Sequence, residues 1–474
     1  MPKDLRTFID EVAAARPDDL LVVNREVDPV FELTGVLAKL EQSSQFPAVL
    51  FRKVKGSNFP VISNLTASYE RLALSLGTTV HEMVPEFARR FAEPTPTRDI
   101  KSGPVKEVVW SGEEVDLGKL PLTVHNEFDA GKYISAGVMI VRDPDSGVLN
   151  AGIYRHQVQG ARQLGLFTNP AFHGDHIRRK YEERNQPMEV VIAIGHHPAL
   201  LMAAASRPPG IGKELEITGS LMGEPLEMTQ ASTVDLPVPA RAEIIIEGMV
   251  PPGERQFEGT FGEWPRYYTG MGDRPYITVK AITMRRDAIC QDLFAAHPEH
   301  NIVGALPRMG SLYVRIKECV PNLKAVNLPM SGGGVASCYI SIAKKVEGEA
   351  KMAAFAAFST HASIKHVYIV DDDIDVFNEP EVLWAMATRF EAHRDMAVIP
   401  NALGAWLIPT AYKLDTNLPG GVLNTKVIFD CTRPAPPAEF PKRALAPASV
   451  VEKIELDAYL EKYNENEQPR RHVS

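Results

Sequence analysis

The stretch Tyr276-Ile-Thr-Val-Lys-Ala-Ile-Thr283 decides the fold class: it is rich in β-branched residues, long enough for one strand, and preceded by the breaker run Gly272-Asp-Arg-Pro275. Three runs of the same kind come before it, Val138-Met-Ile-Val141, Glu189-Val-Val-Ile-Ala-Ile194 and Glu243-Ile-Ile-Ile-Glu247. Helices are expected between them at His173 to Arg184 and Pro198 to Ala205. Strands at this spacing, without a regular helix after each, predict an antiparallel sheet or barrel with helical insertions from about 105 to 305.

On either side the rhythm is different. Residues 4 to 90 read as mixed α/β, with a helix from Asp4 to Ala15, a strand Leu20-Leu-Val-Val-Asn24, and a second helix from Val30 to Ser43 capped by Asp28 and Pro29. The run Glu93-Pro-Thr-Pro-Thr-Arg-Asp-Ile-Lys-Ser-Gly-Pro104 breaks either periodicity and reads as a linker. After about 335 strands and helices alternate: Ser337 to Ala343, Gly348 to Ser359, Val367 to Val370, Glu379 to Arg389. A proline-rich spacer, Arg433 to Pro447, then leads to a last helix opened by the capping-box pattern Ser449-x-x-Glu452. The fold class is therefore multidomain α+β with α/β parts, divided as 1–104, 105–310, a linker at 311–335, 336–448, and a C-terminal helix and tail at 449–474.

Bulk properties exclude several functions. At 474 residues the chain needs more than one core, and 45% hydrophobic with 23% charged residues is ordinary globular composition. A net charge of -9 gives no footing for nucleic acid. No run approaches the ~20 apolar residues of a membrane span, and the first residues lack a signal-peptide core. Four scattered cysteines, without any Cys-x-x-Cys pair, suggest a reducing cytoplasm and no zinc ribbon.

Chemistry concentrates in Gln256-Phe-Glu-Gly-Thr-Phe-Gly-Glu-Trp264. Glu258 and Glu263 flank a turn whose glycines, Gly259 and Gly262, can adopt backbone conformations closed to other residues. Beside an arginine in a dry pocket, one acid would stay ionised while desolvation kept the other protonated. Alone, the pair reads as a solvated acidic turn. In Asn150-Ala-Gly-Ile-Tyr-Arg155 strand alternation puts Asn150 and Arg155 on opposite faces, unless Gly152 introduces a bulge. Asn150, His176 and Glu214 offer two hard oxygens and an imidazole, a set suited to Mg²⁺ or Mn²⁺. His297-Pro-Glu-His300 and Arg308 form a cationic group, and Asp371-Asp-Asp373 reads as a capping acidic turn. Ser331-Gly-Gly-Gly334 leads into a strand and reads as a plain loop. Walker A, Gly-x-Gly-x-x-Gly, His-Glu-x-x-His and Gly-x-Ser-x-Gly motifs are all missing from the sequence.

These motifs in this order, continued by Val370-Asp-Asp-Asp-Ile-Asp375, Trp384-Ala-Met-Ala-Thr-Arg389, Arg394-Asp395 and Asn424-Thr-Lys-Val-Ile-Phe-Asp-Cys-Thr432, resemble the UbiD family of decarboxylases, which use prenylated FMN. The resemblance implies an N-terminal α/β domain, a central split β-barrel like those of flavin reductases, and a C-terminal α/β domain. It implies a catalytic set of Arg155, Glu258 and Glu263, with Glu263 as proton donor. Asn150, His176 and Glu214 match metal ligands through which Mn²⁺ or Mg²⁺ holds the cofactor phosphate, K⁺ being a further candidate ion. Lys426 matches a lysine near that phosphate; Gly152, Ile153 and Tyr154 lie beside the flavin, and Asp175 stands among the cofactor contacts. His300 and Arg308 look like the branch acting on furan dicarboxylates and related heteroaromatic acids. A flavin prenyltransferase would supply the cofactor, and a homodimer or hexamer is expected. Carboxylation, phenolic-acid decarboxylation, and an idle flavin-binding scaffold are the competing readings.

Overall fold

A computed structural model of the chain describes residues 2–168, 172–413 and 422–460, falling into two units, one ending at Thr432 and one starting at Arg433. The chain opens with the helix Leu5–Ala15, where Asp4 and Thr7 close a reciprocal capping box. Strands Leu20–Val27 and Ala48–Val54 pair in parallel around the helix Glu32–Gln42, and Val61–Ser63 adds antiparallel. That second helix starts later than expected. Its cap is Phe31, at φ 67, while Asp28 instead accepts from the Val30 N–H at 2.9 Å. The short strand Cys290–Gln291, just before the helix Pro298–Cys319, pairs with Val61 and Ile62 of this N-terminal sheet, outside the barrel.

The central sheet is antiparallel throughout. Its path runs Tyr133–Ile134, His156–Gly160, Gln163–Gly165, Tyr276–Met284, Ile244–Val250, Met188–Ile194, Val138–Arg142, Leu149–Ile153, with Val108–Ser111 also pairing to Tyr276–Met284. Only Tyr154 and Arg155 separate the last strand of this path from the second, so the sheet must curl until its ends nearly meet. This is the split barrel. The run of isoleucines lacks alternation because both faces are covered. Ile244 and Ile246 join one core with Ile192, Ile194 and Ile282, whereas Ile245 joins another with Val191, Ala193 and the helix Pro198–Ala205.

The helix Pro298–Cys319 leads into the C-terminal domain. The linker expected at 311–335 is absent: its first part is the end of this helix, and Leu323–Asn327 is the edge strand of the next sheet. That sheet continues with Ser337–Ile342, His366–Asp371, Val422–Cys431 and Met396–Leu403. Helices Glu349–Thr360 and Glu379–Arg389 pack on it through Ala353, Ala354 and Ala357, and through Val382 and Ala385. Asp371 and Asp373 are not a solvated turn: both carboxylates bind the Arg389 guanidinium, at 2.6 and 2.7 Å. In the second unit the capping box at Ser449 does not form; a short helix, Ala448–Val451, is preceded by Pro447 without a side-chain cap. The tail from 461 lies outside the described residues. Among the described residues no helix is long and apolar enough to cross a membrane, and all four cysteines are free.

Two buried carboxylates join the domains. Asp292 accepts from Ser63 Oγ at 2.8 Å, Thr123 Oγ1 at 2.6 Å and His125 Nε2 at 2.8 Å. Glu299, in the first turn of the helix Pro298–Cys319, accepts from the N–H groups of Asn64 at 2.7 Å and Thr66 at 2.9 Å. Removing one partner of such a network strands the others without water. Asp292→Ala is expected to cost about 3–5 kcal/mol, read as a lower guanidinium unfolding midpoint, with Asp292→Asn losing less.

Candidate active site

Two short hairpin ladders frame the acidic turn. Gln256–Glu258 pairs with Gly272–Arg274, and Phe261–Gly262 pairs with Tyr268–Thr269, so each glutamate stands at a ladder end. The turn glycines do not serve positive φ, since neither Gly259 nor Gly262 adopts it. A Cβ on Gly259 would lie 2.1 Å from the Ala130 Cβ, and one on Gly262 would lie 2.6 Å from Asn126 Nδ2. Protein, and not a ligand, fills that space: the loop 126–130 docks there, holding the Gly262 N–H on Asp129 Oδ1 at 2.8 Å.

Arg155 leaves the strand Leu149–Ile153 in the two-residue seam of the barrel. The register beside Gly152 is regular, without a bulge; alternation simply ends at Ile153, which frees Arg155 to turn toward the glutamates. Its guanidinium takes Glu258 with two N–H donors, Nε to Oε1 at 3.1 Å and Nη2 to Oε2 at 3.3 Å. Nη1 reaches Glu263 Oε1 at 2.7 Å and Thr269 Oγ1 at 3.0 Å. Phe167 covers the guanidinium, its ring centroid 3.9 Å from Cζ. Glu258 is 0% exposed, Glu263 9% and Arg155 7%. One cation thus faces two carboxyls in a nearly dry site. Burial raises both carboxyls above the ordinary range against the pull of Arg155, and the nearby Glu258 adds to the rise at Glu263. Arg155 is the one cation bonded to both carboxyls, so the second proton is the harder to remove. Glu263 is slightly more exposed than Glu258.

Asn150 and Glu214 meet as neighbours, Asn150 Nδ2 donating to Glu214 Oε1 at 3.0 Å and the Ala151 N–H to Oε2 at 3.3 Å. Gly212 makes that approach possible, because a Cβ there, at φ +94, would strike Val148 and the Leu149 carbonyl. Glu214 is 3% exposed and has no Lys or Arg partner among the described residues, and burial pushes it up to about 7. A buried carboxylate lacking a cation, beside an amide that presents its oxygen on turning over, fits a divalent metal. The imidazole is less simply placed. His176 is exposed on the helix His173–Glu183, while His173, in its first turn, is half-buried and lowered by burial and then by Arg207. The Tyr154 hydroxyl accepts the Gly174 N–H at 3.2 Å, tying this helix start to the strand end. Asp175 is occupied by Thr168 at 2.7 Å, Arg178 at 3.0 Å and Arg179 at 2.7 Å, so it shapes the helix start.

His300 accepts the Ala296 N–H on Nδ1 at 3.2 Å, from a residue at φ 65. Burial and then Arg308 lower its pKa to about 4, so the ring is neutral and must carry its proton on Nε2. Arg308, lowered to about 10 by burial and then by Arg207, has no carboxylate partner among the described residues. Neither do Arg207, His173 and His361, which interact electrostatically within the same group. Such a group suits a polyanion. Lys426 gives two of its donors to the carbonyls of Ala362 and Ile364, at 2.8 and 2.6 Å, which leaves one for an anion. Arg207, His361, Phe167 and Thr269 went unnoticed in the sequence. Only tertiary contact marks them, although His173, three residues before His176, was legible as a second imidazole.

A split barrel that buries two raised carboxyls on one guanidinium provides an acid–base site. Family models for 3-octaprenyl-4-hydroxybenzoate carboxy-lyase match the N-terminal domain over residues 13–91, the Rift-related domain over 98–298 and the C-terminal domain over 301–431. The chain belongs to the UbiD family and is a decarboxylase of that class. A solved structure of the UbiD-class enzyme HmfF from Pelotomaculum thermopropionicum in complex with FMN is 39% identical, with TM-score 0.89, covering 96% of this chain and 100% of its own. An evolved dimeric form of that enzyme in complex with prFMN is 37% identical, with TM-score 0.85, covering 97% and 100%. The anhydromevalonate phosphate decarboxylase of Methanothermobacter thermautotrophicus is 35% identical over 92% of this chain and 98% of its own.

The raised Glu214 generates a prediction. Its folded pKa lies above the ordinary 4.5, so the folded state keeps a proton the unfolded chain has lost, and stability falls as pH rises from 4.5 to about 7. At pH 8, metal-free Glu214→Gln is expected to be more stable than the parent by on the order of 2 kcal/mol in denaturant unfolding. Mn²⁺ is expected to raise the melting temperature of the parent and not of the variant.

Proposed function

We propose that the chain releases CO₂ from a flat aromatic or heteroaromatic acid, furan-2,5-dicarboxylate being the specific candidate, with prenylated FMN as cofactor. The observation that carries this reading is the buried Glu258–Arg155–Glu263 set, in which one guanidinium binds two carboxyls that burial has raised. Loss of CO₂ leaves an electron pair on an sp² carbon, and bound prenylated FMN supplies the electron sink for it. Arg155 orients the reacting carboxylate and keeps Glu258 ionised by its paired donors. Burial, and after it the nearby Glu258, raise Glu263 above the ordinary carboxylate range, and in this reading Glu263 delivers its proton to the vacated carbon. Microscopic reversibility lets the same groups run carboxylation at high CO₂.

Asn150 and Glu214, with an imidazole from the His173 to His176 turn, would hold Mn²⁺ or Mg²⁺ against the cofactor phosphate. Arg207 and the remaining Lys426 donor would add positive charge for the same phosphate, with His361 as a neutral hydrogen-bonding neighbour. His300, as a neutral Nε2–H donor, and Arg308, with no acidic partner among the described residues, would receive a second carboxylate of the substrate. A phosphate would meet the same donors, as the phosphorylated substrate of the archaeal relative suggests. The prenylated flavin would come from a flavin prenyltransferase, and a second copy of the chain is the expected partner, as in the dimeric relative.

Reconstituted protein, assayed for CO₂ release over mono- and dicarboxylic aromatic acids and a phosphorylated unsaturated acid, tests the substrate class. Arg308→Ala is expected to lower rates on the dicarboxylate relative to the monocarboxylate by about 10- to 100-fold; unchanged ratios remove the assignment. Glu263→Gln is expected to keep the flavin spectrum while turnover falls by about 10²- to 10⁴-fold. Near-normal turnover in the loaded variant would contradict its role as the acid.

A further inference from the structure

The glycine run Ser331-Gly-Gly-Gly334, which reads as a plain loop in the sequence, lies against both halves of the active site. Gly333 adopts φ +66, and a Cβ there would stand 2.9 Å from Cε3 and 3.1 Å from Cζ3 of the Trp264 ring. Gly334 adopts φ +62, and its Cβ would stand 2.8 Å from the Asn301 carbonyl oxygen and 3.3 Å from the Ala305 Cβ. Gly332 is similarly confined, its Cβ meeting the Ser337 backbone N at 2.9 Å. Hydrogen bonds from Gly333 N to Met330 O at 2.8 Å and Gly334 N to Pro329 O at 3.0 Å hold the turn, and Ser331 Oγ donates to Glu379 Oε1 at 2.6 Å. The loop is therefore a fixed surface of the C-terminal domain, with no spare volume for a side chain.

Its two neighbours adjoin the chemistry. Trp264 follows Glu263 in the chain, and its backbone N–H pulls the Glu263 pKa down against burial. Asn301 follows His300 in the helix Pro298–Cys319. We infer that the 332–334 loop is a positioning element: Gly333 seats the Trp264 ring and with it the backbone that carries Glu263, while Gly334 seats the helix turn that presents His300. The inference rests on Glu263 being the proton donor. It makes the acid's placement in the central domain depend on a C-terminal loop that touches no reacting atom.

The two requirements at Gly333 separate by substitution. Any L-residue there is strained by the positive φ, but only a Cβ aimed at Trp264 should reach the acid. Gly348, at φ +94 in the same domain, has open space around its Cβ position and provides the control for strain alone. The charged groups facing Glu263 are Arg155 and Glu258, with Arg274 acting on Glu258. A displaced Glu263 loses part of its burial, so its raised pKa falls, and the alkaline limb of kcat, where the acid must still be protonated, moves to lower pH.

In the holoenzyme Gly333→Ala is expected to lower kcat by roughly 10- to 100-fold with KM within about twofold, and to move the alkaline limb of the pH profile down. Gly348→Ala should leave both as in the parent. Trp264→Phe removes the ring atoms that meet Gly333 without straining the loop, and should shift the limb in the same direction, which keeps the test decisive if Gly333→Ala folds poorly. A parental pH profile in Trp264→Phe, or equal kcat losses in Gly333→Ala and Gly348→Ala, overturns the loop's role. Glu263→Gln assayed in parallel separates the levels: its inactivity alongside parental loop variants overturns the positioning alone, whereas its retained turnover overturns the assignment of the acid.

Discussion

Everything at the centre of this molecule depends on one guanidinium enclosed with two carboxyls. Water would dissolve the arrangement, since exposed Arg–Glu pairs contribute little. In the dry seam of the barrel the three groups cannot all be charged at low cost; burial holds both carboxyls above their ordinary range, and Glu258 adds to the rise at Glu263. The rest of the structure maintains that condition. Phe167 and Phe261 cover the guanidinium, at 3.9 and 5.2 Å from their ring centroids, and the Gln157 side chain holds the Gly259 N–H at 3.0 Å.

The site is assembled from segments far apart in sequence, and buried carboxylates fix their relative positions. Asp292 and Glu299 clamp the N-terminal segment 63–66 to the base of the helix that carries His300 and Arg308. Glu247 binds the N–H groups of Ser232 and Thr233, and Glu243 binds Arg6 and the Ile289 N–H. Backbone N–H donors converge on these acids, which is how a protein keeps charge inside without a counterion at each one. Three domains thereby act as one frame around a small reactive volume.

Much of this architecture was legible. The helices Pro198–Ala205 and Glu379–Arg389 and the long central strands follow from apolar runs between breakers, because local periodicity records which face is buried. The linker expected at 311–335 failed for a related reason: Pro307, Gly310 and the polar residues near Cys319 look like punctuation, yet the helix survives them by packing Ile302, Leu306, Met309 and Leu312 into the main core. The capping box at Ser449 was a local pattern without packing to sustain it. Gly259 and Gly262 were singled out correctly but for another cause, being small where a loop docks and not flexible where a ligand enters.

For the site, sequence alone determined the inventory: two glutamates five apart, an arginine near an asparagine, a buried-type glutamate, and a histidine and arginine on one later segment. Side-chain chemistry is local, so residue types reveal it. Tertiary structure alone decided which groups meet. The end of a strand at Ile153 turned Arg155 toward both glutamates, the fold gathered Arg207 and Arg308 around the His361 imidazole with no carboxylate partner among the described residues, and the glycine loop came to rest against Trp264. Those outcomes depend on sheet closure and domain packing. They are summed over contacts between residues up to hundreds of positions apart, which no local pattern encodes.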